Sequence, residues 1–152
     1  MEFLASIHPK VVHFPIAFLM LYPLMELLFI FTRKDFFSKA ALLFLTIGVV
    51  GALFAVLSGN QAFELVKDWT AEGKDVFNNH QTYANLTVWS YATLLVVRYF
   101  LFVKKKLNRT IISIIFVLSL LGGYLVFQTG NYGGKLAEQL VIFSHSIDTK
   151  QK

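Results

Sequence analysis

Four histidines, His8, His13, His80 and His145, are the residues of this chain best suited to chemistry. Neutral imidazole ligates iron, copper and zinc alike. Two of the four stand in the opening stretch His8-Pro9-Lys10-Val11-Val12-His13-Phe14-Pro15-Ile16-Ala17, at the mouth of an apolar run. Five residues separate them, about 140° around a regular helix, so they do not form an i, i+4 chelate. The H-E-x-x-H zinc signature is absent. With Pro9 at the first helical position, His8 lies in a non-helical entry and meets His13 only by folding back. The chain has no cysteine. That excludes disulfides, thiolate metal sites, iron–sulfur clusters and covalently attached haem, leaving histidine, carboxylate and packing to hold any cofactor.

The elements that must position these histidines are membrane helices. Of 152 residues, 56% are hydrophobic and 15% charged, and the mean hydropathy is +0.60. A single soluble domain of this length cannot bury so much apolar side chain, so the surplus faces lipid. Four apolar segments, residues 11–31, 37–62, 81–103 and 110–128, are each long enough to cross about 30 Å of hydrocarbon. A tail, 129–152, follows them. The alternating strands of a closed barrel are absent. The first nine residues lack the basic region of a secretory signal, so the segment after them is read as a span. The expected fold is one all-α domain over residues 1–152, a four-helix up-down membrane bundle.

Charge orients it. The connection after the first span carries Arg33, Lys34 and Lys39 against Asp35, and that after the third carries Lys104, Lys105, Lys106 and Arg109 with no acid. The second connection holds Glu64, Asp68, Glu72 and Asp75 against Lys67 and Lys74. Basic connections stay in the cytoplasm, which places both termini on the outer, periplasmic face of a bacterial inner membrane. The pI near 9.5 reflects these blocks and does not indicate nucleic acid.

On that topology His8, His13, His80 and the tail residue His145 share the outer face. Asn78 or Asn79 is placed to cap the third helix at His80. From His80, residues Thr87, Tyr91 and Arg98 fall on one helical line, a polar stripe facing protein. Thr87 and Tyr91 count with the histidines as candidate cofactor contacts, whereas Arg98 is placed to snorkel to the cytoplasmic headgroups. Pro23 frees the Leu19 carbonyl, and Glu26 lies one turn on, hydrogen-bonded or snorkelling. Gly48, Gly51, Ala52, Ala55, Ser58, Gly59 and Ala62 form a small-residue seam on the second helix, for close helix packing or for a flat cofactor.

The first and third helices are diagonal in a square bundle, about 13 Å apart. Inward imidazoles of His13 and His80 across such a gap fit a haem b. A copper or zinc site needs the ligands closer, so that His8 or His145 joins His13 and His80. Histidines bonding headgroups or loop carbonyls, in a structural subunit with no cofactor, are the third reading. No Ser-His-Asp order, phosphate loop or carboxylate pair marks a hydrolase or transferase, and enzymatic activity stays open.

The His8–Ala17 stretch, His80 with Asn85, and Thr129-Gly130-Asn131-Tyr132-Gly133-Gly134-Lys135-Leu136 together resemble a bacterial membrane family catalogued as domain of unknown function 2231. The resemblance covers nearly the whole chain and departs from the family pattern after Leu136, where Ala137-Glu138-Gln139 leads into a different tail. Some relatives are fused to cytochrome c or Rieske modules. The resemblance therefore implies electron transfer beside other membrane or periplasmic redox subunits.

Overall fold

The computed structural model describes the backbone of residues 2–65 and 70–150, with side chains at residues 3, 6–65 and 70–139. Lys67 and Asp68 of the acidic connection and the side chain of His145 lie outside the described residues. Five helices run through the rest: α1 (Glu2–Val11), α2 (His13–Thr32), α3 (Asp35–Glu64), α4 (Ala71–Val103) and α5 (Arg109–Lys150). The first two are nearly one. Val12 between them keeps helical dihedrals, φ −61° and ψ −25°. Its amide donates to the His8 carbonyl at 3.1 Å, and its carbonyl accepts from Ile16 at 3.3 Å. The break falls where Pro15, having no N–H, cannot donate to Val11. Among the described residues four helices are long and apolar enough to cross a membrane: Ser6–Thr32, Asp35–Glu64, Ala71–Val103 and Arg109–Gln139. The chain is an all-helical membrane protein in contact with the bilayer.

Three helices outrun the lengths expected of them. The first begins at Glu2, so Pro9 lies inside α1 and not at its first position. Thr70 caps α4 by accepting from the Gly73 amide at 3.0 Å. Its start is therefore ten residues before 81, about 15 Å further out. Asn78 and Asn79, the two expected caps, lie within the helix, and Asn79 donates to the Asp75 carbonyl at 2.9 Å. The segment 129–150, expected as a tail, continues α5, and no glycine in the described chain takes positive φ. At the opposite end the connections are tight. Arg33 turns left-handed at φ 55° while its amide still bonds Phe29 at 3.0 Å. Asn108 accepts from the Ile111 amide at 2.9 Å to open α5.

Around the bundle α2 packs on α3, α3 on α4, α4 on α5 and α5 back on α2, with α1 leaning on α3. Thus α2 and α4 are diagonal, as a square up-down arrangement requires. One end carries the histidines and the other the basic connections. A three–four spacing fixes which side of each helix looks inward. On α2 the buried positions include Pro15, Leu19, Tyr22, Glu26 and Phe29, and on α4 they include Thr87, Tyr91, Leu94 and Arg98. This is the seam of a left-handed bundle.

Small residues let the backbones approach, since in lipid dispersion contact replaces the hydrophobic drive between helices. A Cβ on Gly51 would stand 3.3 Å from Pro15 Cδ, so the α3 seam faces α2. On Gly122 it would stand 2.7 Å from Tyr91 Cζ, so that ring lies directly on α5. Outward positions such as Phe54, Trp89, Val96 and Phe127 are exposed, as a lipid-facing surface demands.

Candidate functional site

The seven-residue spacing that brings Pro15, Tyr22 and Phe29 inward also passes through His8. Because α1 leads into α2 with helical dihedrals at Val12, His8 keeps that phase. Its ring lies over Gly59 of α3, where a Cβ would stand 2.9 Å from the imidazole Cε1. His13 is two residues from Pro15, about 200° around the helix. It is exposed on the outward side. The inward place expected of His13 therefore belongs to His8, and no fold-back is needed.

Across the bundle His80 occupies the matching place on α4. It is eleven positions before Tyr91 on the same inward line, and its ring lies over Gly133 of α5. A Cβ at Gly133 would meet the imidazole Cε1 at 3.3 Å. Each histidine is thus seated on a glycine of a neighbouring helix.

Both imidazoles are fixed by the same ring atom. His8 Nδ1 lies 2.8 Å from Ser58 Oγ. The single proton of that hydroxyl is committed to the Ala55 carbonyl at 3.0 Å. With that proton on Ala55, Ser58 accepts from His8 Nδ1. His80 Nδ1 lies 3.0 Å from the Thr129 carbonyl, which can only accept. His80 Nδ1 carries a proton too. In the neutral tautomer of each ring, Nε2 then has a free lone pair. A metal-ligating histidine takes this form: one nitrogen donates to a protein oxygen, which sets the tautomer and aims the other.

The remaining stripe residues on α4 serve the protein. Thr87 Oγ1 donates to the Tyr83 carbonyl at 2.8 Å and approaches Thr129 Oγ1 at 3.1 Å, about 10 Å below His80 along the helix. Tyr91 Oη bridges the Leu19 carbonyl at 3.3 Å and the Ser119 carbonyl at 3.2 Å. The first of these is the carbonyl that Pro23 leaves without its helical donor. Both side chains form the floor beneath the mouth, and their hydroxyls are spent on the bundle.

Lower still, Arg98 does not snorkel. It is fully buried, with Nε 2.6 Å from Glu26 Oε1 across the diagonal. Its Nη2 bonds Ser38 Oγ at 3.0 Å. The partnership was hidden in the sequence because the two residues lie on different helices. The same holds for Ser58 and Thr129, the groups that orient the histidines. A signal for all of them existed in the heptad phase, which aligns His8 with Glu26's face and His80 with Arg98's.

Among the described residues no three His, Asp or Glu side chains converge as a metal-binding group. His8, His13 and His80 therefore do not gather into the three-ligand site considered for copper or zinc. The arrangement places two imidazoles, each seated on a glycine of a neighbouring helix, at one end of a membrane bundle.

No curated protein and no solved structure matches the chain. Residues 5–145 match the model of a predicted membrane protein family of unknown function, DUF2231, and the chain belongs to that family.

Proposed function

We propose that the histidine end of the bundle binds a b-type haem through His8 and His80, and that the protein is an electron-transfer subunit of a membrane redox complex. The supporting observation is that His8 and His80, at the same end of the bundle, are each held at Nδ1, by Ser58 Oγ and by the Thr129 carbonyl. Two imidazoles make a complete ligand set only for a metal that brings its other ligands with it, and a porphyrin supplies four. When bound, the haem would supply one-electron chemistry. The chain's own part is to fix two ring orientations through Ser58 and Thr129 and to keep Gly59 and Gly133 bare beneath the rings. His13, outside the pair, is placed to meet headgroups or solvent.

The basic connections at Arg33–Lys34 and Lys104–Lys106 support a cytoplasmic placement of that end. The histidine end then faces the periplasm of a bacterial inner membrane, where a membrane or periplasmic redox partner can reach it. The test is the reduced-minus-oxidised visible spectrum of the detergent-solubilised protein, with elemental analysis of the same sample. A low-spin b-type spectrum with iron is expected. Copper or zinc without haem, or neither, contradicts the proposal; the latter leaves a structural subunit.

A further inference from the structure

Between α4 and α5, on the side of the bundle that faces lipid, lies an open groove of about 730 Å³. Its walls follow one helical line on each helix: Ser90, Leu94, Val97 and Leu101 on α4, Ile111 and Leu125 on α5. From Ser90 to Leu101 it runs about 17 Å along α4, and from Ile111 to Leu125 about 21 Å along α5. One leaflet of a bilayer has about 15 Å of hydrocarbon, so the groove is long enough for a whole acyl chain. Which lipid supplies that chain is decided at the groove's basic end.

The walls at Leu101 and Ile111 lead directly into the connection that carries Lys104, Lys105, Lys106 and Arg109, all exposed. Two hydrogen bonds tie that connection to the groove. The Lys106 amide donates to the Leu101 carbonyl at 3.0 Å, and the Ile111 amide donates to Asn108 Oδ1 at 2.9 Å. Lys105 holds a left-handed φ of 52°, a position that favours glycine, so the turn itself does not call for a lysine. No acidic residue occurs between Asp75 and Glu138. Asp35, the acid of the other connection at this end, belongs to α3, and among the described residues none of the four cations is held in an ion pair. We propose that α4, α5 and their connection form a binding site for one anionic phospholipid, its acyl chain in the groove and its phosphate among Lys104, Lys105, Lys106 and Arg109. A zwitterionic headgroup would bring a further cation to these four, whereas an anionic one brings only the charge they lack. The site lies at the opposite end from His8 and His80 and is independent of what they bind.

Trp89 lines the groove far from its basic end, and Trp69 is the chain's other tryptophan. In a Trp69→Phe background, quenching of Trp89 by lipids with brominated acyl chains therefore reads occupancy of the groove. The full chain is reconstituted in phosphatidylcholine vesicles carrying a small, increasing fraction of brominated phosphatidylglycerol or brominated phosphatidylcholine. Brominated phosphatidylglycerol is expected to half-quench Trp89 at a mole fraction about tenfold lower, within what four basic side chains at a membrane surface supply. Lys104→Gln with Lys105→Gln and Lys106→Gln should remove this preference. Val97→Phe, which fills the groove from an exposed position, should remove it too. Equal quenching by the two lipids without these substitutions overturns the site, as does a preference that survives either of them. Quenching by neither lipid also overturns it, since a second copy of the chain would then cover the groove. Should the triple variant fail to fold, the comparison of the two lipids and Val97→Phe decide.

Discussion

At the scale of single residues, the proposed haem site rests on two glycines as much as on two histidines. Gly59 and Gly133 are where the rings of His8 and His80 lie, and a methyl group at either competes with an imidazole for space. Gly59→Ala places Cβ 2.9 Å from His8 Cε1, so the ring must leave Ser58 or α1 must shift. A destabilisation of about 1–3 kcal/mol is expected from the overpacking, with loss of haem retention. Gly133→Ala, at 3.3 Å from His80, should act in the same direction and less strongly. Gly134→Ala is the control. Nothing lies within 4 Å of its Cβ, and alanine gains about 1 kcal/mol of helix propensity over glycine. Thermal unfolding in detergent and haem content of the three variants would check the order. Equal behaviour of Gly59→Ala and Gly134→Ala would contradict the seating of His8 on α3.

At the scale of helices, the diagonal contact between α2 and α4 is ionic. Glu26→Leu leaves Arg98 buried without its carboxylate, and a cost of about 3–5 kcal/mol is expected. Removing both charges, Glu26→Leu with Arg98→Met, should cost far less or even stabilise by about 1–4 kcal/mol. Denaturant unfolding of the single and double variants in detergent measures this; a double variant as unstable as the single one would mean that the pair carries the α2–α4 contact through more than its charges. The α2–α3 contact is one of shape. Gly51→Leu, with Pro15 Cδ only 3.3 Å from the Cβ position, should cost about 1–3 kcal/mol, and an unchanged melting temperature would put that face toward lipid. Much of this was legible beforehand. Four spans, the diagonal placement of the first and third, the α3 seam and the protein-facing stripe of Thr87, Tyr91 and Arg98 follow from apolar run length and helical phase alone. The inward position of His8 and the outward one of His13 do not, because Pro9 read as a helix start hides the phase that His8 shares with Pro15 and Tyr22. The helix that runs on through 129–150, within the segment 129–152 expected as a tail, is hidden for a related reason: glycine disfavours an isolated helix, but packing of α5 on α4 overrides that preference. Arg98 looked like a snorkelling residue because its partner is 72 positions away.

At the scale of the molecule, four spans bring α1 and the far end of α5 to the same end of the bundle. The basic connections at the other end then decide which side of the membrane the histidines face. Reporter fusions at Lys105 and at the C-terminus should give opposite signals, Lys105 cytoplasmic and the C-terminus outside. A cytoplasmic C-terminus would put His8 and His80 within reach of cytoplasmic partners only. The central claim, that these two histidines and not His13 form the ligand pair, is tested most directly by the visible spectra of three purified variants. His8→Ala and His80→Ala should each abolish the low-spin b-type spectrum. His13→Ala, which alters an exposed side chain, should leave it intact. Loss of the spectrum in His13→Ala with its retention in His8→Ala would contradict the account.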